Sequence, residues 1–459
     1  MILDIENKQT HFTISYFDKD GIVSFAQLPI PEDERFVYDY AEPHEKRGVC
    51  ADVRSWDDRP VKKIKNGKLS KYRIEELVTK NKDKIPEVFE FNAPRKHFID
   101  IETEITEGFA DPDTALNRVL SIGISTDRGK VFVLGLRDMT AMEVDEIKAD
   151  LNKHFEKMGD TWDFQYIKFD SEYDMMYTFF AKFMKQMYCI TGWNVIGYDW
   201  KYLINRAVRL KIDPSICSPS GRLIGKNRLP QHKLVVDYME IVKKWDRVIK
   251  IKENFKLDYI GERAIGIAKI KYNGSLKDLY SIDFKKFIYY NAVDCALVHY
   301  IDKKLNTMLT FLKLANVTAV EINRAFSPIH IMEALMCREY YKEGKVFVEV
   351  FRPEGEQKQF EGALVLDPVV GMHNYVTCYD FASLYPSVMQ QFNISPEGYK
   401  GKGEIGPGHI KLASGAVFQN ESDSTLRKIL LDYYGRRKAT KRKYLDINKE
   451  IDVLKHMLD

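Results

Sequence analysis

The stretch Lys96-His97-Phe98-Ile99-Asp100-Ile101-Glu102 decides the reading of this chain. An apolar strand pattern ends in two acids, and strand alternation puts Asp100 and Glu102 on the same side. An acidic, glycine-containing loop leads on to Val119-Leu120-Ser121-Ile122-Gly123-Ile124. Val131-Phe132-Val133-Leu134 follows the turn Asp127-Arg128-Gly129. Three strands joined in this way predict a meander. Apolar spacing then predicts helices over 142–158, 173–187 and 200–210, with strands at Tyr166-Ile167-Lys168-Phe169 and Cys189-Ile190-Thr191-Gly192 between them. Alternating strands and helices make this an α/β layered domain.

Toward the N-terminus, Thr13-Ile14-Ser15-Tyr16-Phe17 and Ile22-Val23-Ser24-Phe25 flank Asp18-Lys19-Asp20-Gly21, a predicted hairpin. Toward the C-terminus, residues 222–237 read as a second hairpin with Gly225-Lys226-Asn227 near its tip. Helices dominate over 256–314, and another is expected over 327–341, before Lys345-Val346-Phe347-Val348. Residues 424–459 read as a long helix, with Leu426, Ile429, Leu430, Tyr433 and Tyr434 on one face. Tyr444, Ile447, Ile451, Leu454 and Leu458 continue at steps of three or four. No glycine, asparagine or proline closes this run before Asp459, so the element reads as unfinished.

A length of 459 residues is too great for a single core, and two to four domains are expected. Composition is that of a globular protein, with 45% hydrophobic and 30% charged residues. The net charge of +3 is small, so local basic clusters matter more than the sum. The six cysteines (Cys50, Cys189, Cys217, Cys295, Cys337 and Cys378) are scattered and form no C-x-x-C pair. That pattern argues for reduced thiols rather than a zinc site or a disulfide framework. With no signal-peptide pattern and no membrane-length apolar stretch, the expected location is cytoplasm, with no membrane partner.

Two further segments share the acidic character of the first. They are Thr191-Gly192-Trp193-Asn194 through Tyr198-Asp199, and Tyr290-Asn291-Ala292-Val293-Asp294. Asp199 opens a helix after a strand and loop, and Tyr290 lies one helical turn before Asp294. Each piece alone is ordinary: Asp4-Ile5-Glu6 and Asp170-Ser171-Glu172 are also Asp-x-Glu, and Asp199 alone reads as a helix N-cap. Together they form the set a two-metal phosphodiester hydrolase needs. Hard divalent cations require oxygen ligands, and the attacked phosphate requires its charge neutralised. The tyrosine hydroxyl is suited to hold the attacking water.

These three segments resemble the Exo I, II and III motifs of the family B DNA polymerases, in the DEDDy form. The resemblance implies a proofreading 3′–5′ exonuclease with an RNase H-like fold. It implies that Asp100, Glu102, Asp199 and Asp294 are ligands of two Mg²⁺ (or Mn²⁺) ions or support those ligands. Tyr290 would position the water, and Asn194, within the Asn-x-x-x-[Phe/Tyr]-Asp pattern, would contact DNA.

A fourth segment, Asp380-Phe381-Ala382-Ser383-Leu384-Tyr385-Pro386-Ser387, resembles motif A of the same family. A strand over 375–379 is expected to lead into Asp380, the motif's catalytic metal ligand. Phe381, Ser383 and Leu384 would face the triphosphate, and Tyr385 would lie under the sugar of an incoming dNTP. Phe360-Glu361-Gly362-Ala363 resembles the Tyr-x-Gly-[Gly/Ala] segment that tracks the template, with Gly362 and Ala363 as DNA contacts and Phe in place of the tyrosine. Arg436-Arg437-Lys438-Ala439-Thr440-Lys441-Arg442-Lys443 is similar to the basic run of the first fingers helix. Arg437 and Lys441 fit its Arg-x-x-x-Lys spacing, and Arg436 takes that role if the register slips. The family's motifs B and C do not occur in these residues.

The resemblance is detailed toward the polymerases of T4-type bacteriophages, through Trp193-Asn194, Asn205-Arg206, Ala325-Phe326-Ser327-Pro328-Ile329 and Asn393-Ile394-Ser395-Pro396-Glu397. It implies an N-terminal domain over 1–95 with 307–365 returning to it, and an exonuclease domain over 96–306. A partial palm over 366–423 and a first fingers helix over 424–459 would follow. The expectation is thus an α/β and α+β multidomain chain, the N-terminal part of a replicative polymerase split in the fingers. It would act on primer-template and single-stranded DNA in an infected bacterial host. A C-terminal polypeptide carrying motifs B and C, and through it a sliding clamp, would be its partners. A free-standing exonuclease and a catalytically silent DNA-binding scaffold are the rival readings. The intact exonuclease set argues against the scaffold.

Overall fold

The computed structural model describes residues 1–42, 44–45, 48–65, 69–105, 110–249, 253–348 and 365–458. The chain opens with an antiparallel meander of β1 (Ile2–Asn7), β2 (His11–Phe17) and β3 (Val23–Pro29). The expected turn joins β2 to β3: Asp18 accepts from the amides of Asp20 and Ile22, and Gly21 takes φ 71°. Then come β4 (Phe36–Tyr40), β5 (Val49–Ser55), β6 (Pro60–Lys65) and helix α1 (Lys71–Lys80).

The decisive stretch is β7 (Lys96–Thr103), and β8 (Val119–Thr126) and β9 (Lys130–Gly135) complete the predicted meander. After helix α2 (Ala141–His154), β10 (Asp163–Lys168) pairs parallel to β9. Helix α3 (Glu172–Thr178) continues through a π turn at Phe179–Phe183 into the short α4 (Met184–Gln186). Strand β11 (Cys189–Gly192) runs parallel to β7, and helix α5 (Asp199–Arg209) follows it. A two-residue hairpin of β12 (Leu223–Ile224) and β13 (Leu229–Pro230) precedes β14 (Leu234–Asp237), which pairs parallel to β11. The sheet order β10-β9-β8-β7-β11-β14 has an antiparallel meander flanked by parallel strands. This is the RNase H-like arrangement implied by the resemblance.

Helices α6 (Tyr238–Trp245), α7 (Leu257–Ile265), α8 (Leu276–Ile282), α9 (Phe284–Leu305) and α10 (Thr307–Val317) follow. Alternation along β7 decides what each sheet face does. Ile99 and Ile101 enter a core with Met175, Phe179, Trp200 and Leu203 from α3, the π turn and α5. The opposite face of β7, β8 and β9 is covered by α9. Burial of each such aliphatic or aromatic side chain contributes about 1.5–3 kcal/mol, so both helix layers are pinned to one rigid sheet.

The chain divides into two compact units, Met1–Ile30 with Asn81–Ile331, and Pro31–Lys80 with Met332–Asp459. Residues 1–95 are therefore shared between units, and the boundary expected near residue 95 falls inside the first. In the second unit, α11 (Pro328–Lys342) leads to β15 (Lys345–Val346), which pairs parallel to β5. Phe36, Tyr38, Val61, Val346 and Val348 form a core there. Helix α12 (Leu384–Gln391) packs against α13 (Thr425–Leu458). Between them β16 (Tyr399–Lys402), β17 (His409–Lys411) and β18 (Ala416–Gln419) form a sheet of order β16-β18-β17.

Three expectations need correction. The hairpin expected over 222–237 ends at Pro230; Leu234, Val235 and Val236 are fully or nearly buried, so this segment joins the main sheet instead. The helix expected over 142–158 stops at His154, with a 3-10 turn at Glu156–Met158 closed by Gly159 at φ 77°. Residues 375–379 form no strand; they are exposed, and Tyr375 sits at φ 59°. A strand needs a neighbour to accept its ladder of hydrogen bonds, and no described strand pairs with this segment. Phe360, Glu361, Gly362 and Ala363 lie outside the described residues. Among the described residues, no helix is long and apolar enough to cross a membrane.

Candidate active site

Pairing between β7 and β11 ends at Thr191 opposite Phe98. Beyond that point the strands part, and the edge of β7 at Ile101 turns to other partners. The Ile101 amide donates to Asp199 Oδ1 at 3.0 Å, so the first residue of α5 closes the fork. Crevices at the carboxyl ends of diverging parallel strands are where α/β sheets bind ligands. The loop between β11 and α5 is held from β14: Asp237 accepts from the Ile196 amide at 3.2 Å while capping α6.

Asp100 and Glu102 project toward α9, and α9 brings Asp294 to them. One carboxylate oxygen from each of the three lies within 4.8 Å of the others. Glu102, Asp199 and Asp294 are all buried. Tyr290, one turn before Asp294, points to the same place. Lys269 Nζ, from the loop between α7 and α8, donates to Asp294 Oδ2 at 2.6 Å and to the Tyr290 hydroxyl at 2.9 Å. Tyr272 meets the Tyr290 ring edge-on at 5.4 Å. Asn291 donates from Nδ2 to Asp100 Oδ2 at 2.8 Å.

The electrostatics follow from burial. Asp100 is pushed up to about 7, first by desolvation and then by the charge of Asp294. Burial and then the charge of Asp100 hold Glu102 and Asp199 well above the usual carboxylate range. Burial also raises Asp294, with Lys269 opposing it. Burial works against the Lys269 ammonium, but Asp294, Tyr290 and Asp100 outweigh it and raise its pKa. Tyr290 is raised by burial and by Asp294, so its hydroxyl stays protonated. Half-buried Asp100 and buried Glu102 and Asp294 thus share the Lys269 ammonium, and Asp294 Oδ1 is buried with no hydrogen-bond partner among the described residues. Clustered, under-neutralised carboxylate oxygens fit a hard divalent cation.

The family model described as DNA polymerase family B, exonuclease domain, matches residues 50–240. The model described as DNA polymerase family B matches residues 326–459. The chain carries the exonuclease and polymerase domains of DNA polymerase family B. It is 26% identical over 348 residues to the DNA-directed DNA polymerase of Escherichia phage RB69, covering 71% of this chain and 38% of the relative. It is 27% identical over 266 residues to the DNA-directed DNA polymerase of Enterobacteria phage T4, covering 55% and 29%. The DNA polymerase of Archaeoglobus fulgidus is 28% identical over 269 residues, covering 57% and 33%. The chain therefore spans 29 to 38% of the length of these relatives. Neither family match covers 241–325, the stretch that supplies Lys269, Tyr290 and Asp294; the fold brings them in.

The remaining expected residues are placed as follows. Asn194 is exposed at φ 60° in the β11–α5 loop. It lines a cavity of about 630 Å³ with Gly197, Asn227 and Asp237. Asp199 is not one of the three converging carboxylates; its Oδ1 is given to the backbone of β7. Asp380, Phe381 and Tyr385 are exposed. Ser383 takes φ 55° at the start of α12, and Leu384 opens that helix. Arg437 and Lys441 lie one turn apart on α13, and no ion pair joins either to another described residue. Arg436 instead pairs with Asp432 at 2.8 Å. Sequence reading missed Lys269, since a lysine in a basic loop carries no signal of its own. It also missed the contact of Asn291 inside the third acidic segment.

Proposed function

We propose that this chain is a metal-dependent 3′–5′ exonuclease acting on single-stranded DNA ends, within the N-terminal part of a phage replicative family B polymerase. The observation that carries the reading is the convergence of half-buried Asp100 with buried Glu102 and Asp294 beside Tyr290. Asp100, Glu102 and Asp294 would hold Mg²⁺ or Mn²⁺, with Asp199 as a further ligand or as the support that closes the fork. When bound, such ions supply activated water and charge neutralisation at the phosphate. Tyr290 offers its protonated hydroxyl to orient the water. Lys269 holds that hydroxyl and Asp294 in register. Asn194 and the basic residues around the β12–β13 hairpin would meet the DNA strand.

The second unit would contribute half of a polymerase site: Asp380 as a metal ligand, Phe381, Ser383, Leu384 and Tyr385 around the dNTP, and Arg437 and Lys441 on its triphosphate. Gly362 and Ala363 would track the template. Motifs B and C would come from further polypeptide, continuous with this chain or separate, and a sliding clamp would act through it. The four-part division at 95, 306, 365 and 423 belongs to this reading. One observation supports exonuclease activity independent of synthesis: Asp100, Glu102 and Asp294 converge, whereas residues 371–382 are exposed and irregular.

The test is removal of nucleotides from labelled single-stranded DNA in Mg²⁺. Asp100→Ala with Glu102→Ala should abolish it, and Tyr290→Phe should slow it by roughly 10²–10⁴-fold at most, the range for a group that assists but does not bind the ion. Unimpaired degradation by the double variant, or in chelator, would remove the assignment.

A further inference from the structure

We infer that Asn291 is a positioning residue of the exonuclease site, whose carboxamide sets which oxygen of Asp100 is left for a divalent cation. The inference rests on the reading above that Asp100 is a metal ligand. Asn291 is fully buried on α9, between Tyr290 and Asp294. Its Nδ2 donates to Asp100 Oδ2 at 2.8 Å and lies 3.4 Å from the Asp100 carbonyl oxygen. Both atoms of Asp100 are acceptors, so the amide must turn its NH₂ toward them. Its Oδ1 then faces Ser121 on β8 and accepts from that hydroxyl at 3.1 Å. The amide has no room to swing. A side-chain carbon built on Gly123 would come within 2.9 Å of Asn291 Oδ1 and 2.7 Å of Cys295 Sγ.

The chemistry of the group suits the task. An ionised carboxylate has two oxygens, and a ligand that can rotate presents either. Fixing Oδ2 with a neutral donor leaves Oδ1 as the oxygen free of Asn291. A lysine or arginine at this place would orient Asp100 equally well but would neutralise the charge the cation needs. Groups that orient a metal ligand from behind set its affinity for the ion. One turn of α9 therefore carries three functions: the Tyr290 hydroxyl, the brace on Asp100 and the Asp294 ligand.

The experiment measures Mn²⁺ binding to the whole chain by electron paramagnetic resonance, with exonuclease rate against Mg²⁺ concentration alongside. Asp100→Ala defines the site that depends on Asp100. Asn291→Ala should weaken Mn²⁺ binding at that site by roughly 10- to 100-fold and raise half-saturating Mg²⁺ by the same factor. The rate at saturating Mg²⁺ should fall by a smaller factor, and single-stranded DNA affinity in chelator should not change. Ser121→Ala, which only loosens the brace, should shift both metal constants in the same direction and by less. Wild-type Mn²⁺ affinity in folded Asn291→Ala overturns the inference, as does wild-type affinity in Ser121→Ala should Asn291→Ala not fold. If Asp100→Ala itself keeps Mn²⁺ binding and activity, the metal-site reading has failed, and the inference falls with it.

Discussion

Two lysines in the first unit, Lys233 buried and Lys269 half-buried, show how surroundings decide the fate of a charge. Lys269 faces Asp294, Tyr290 and Asp100 and is held charged. Lys233, 2% exposed, has no carboxylate among its hydrogen-bond partners; it donates to the carbonyls of Met184 and Met187 at the end of α4, at 2.6 and 2.9 Å. Burial pushes Lys233 down to about 8. Its folded pKa therefore lies below the unfolded value of 10.5. Between these values the unfolded chain binds more protons, so stability rises with pH. The stability of the wild type relative to Lys233→Met should increase by on the order of 2–3 kcal/mol from pH 7 to pH 10.5. Denaturant midpoints at three pH values would show it, and a constant difference would refute it. Sequence pattern could not distinguish the two lysines, because neither lies in a periodic run. Asp100, Glu102 and Asp294 were legible because strand and helix periods place them. The role of Asp199 in closing the fork was not, since it depends on where pairing between β7 and β11 stops.

At the scale of elements, the fork between β7 and β11 is the feature on which the site depends. Gly192 ends β11 where its backbone passes the Ile99 carbonyl, and an added Cβ would fall well inside van der Waals contact with that oxygen. The neighbour is backbone and cannot turn aside. Gly192→Ala should therefore cost about 1–3 kcal/mol and spread the fork, loosening the Asp199 to Ile101 bond. Urea denaturation, with exonuclease rate at saturating Mg²⁺, would measure both effects; an unchanged midpoint would mean the strands give more easily than this packing suggests. The meander and the alternating helices were readable from their periods of 2 and 3.6. The π turn at Phe179–Phe183 was not, because it keeps an apolar helical pattern while shifting the ladder. The missing strand at 375–379 was misread for the opposite reason: its residues favour strand, but pairing is supplied by tertiary neighbours.

At the scale of the molecule, the two units differ in completeness. The first brings Asp100, Glu102 and Asp294 together, whereas in the second Asp380 lies on exposed chain. These residues alone should therefore shorten a primer but not extend it, as gel analysis with all four dNTPs would reveal. Templated extension free of host polymerase would refute this account of the second unit. The acidic segments were legible and the resemblance implied a return of 307–365 to the N-terminal domain, but the breaks near residues 30, 80 and 331 were not, since no composition shift marks them. That interleaving bears on how the protein is made. Strand β1 is tied to the far end of its unit: Ile322 N bonds to Ile2 O at 3.1 Å, and Glu321 accepts from the Ile5 amide at 3.1 Å. At ~5–20 residues per second on a ribosome, the first strand waits on the order of 15–60 s for these partners. Asp100 and Glu102 likewise leave the ribosome long before α9 can cover them. The nascent chain must carry bare acids and an open sheet face from the time β7 emerges until α9 follows it, and the carboxylate trio closes only then.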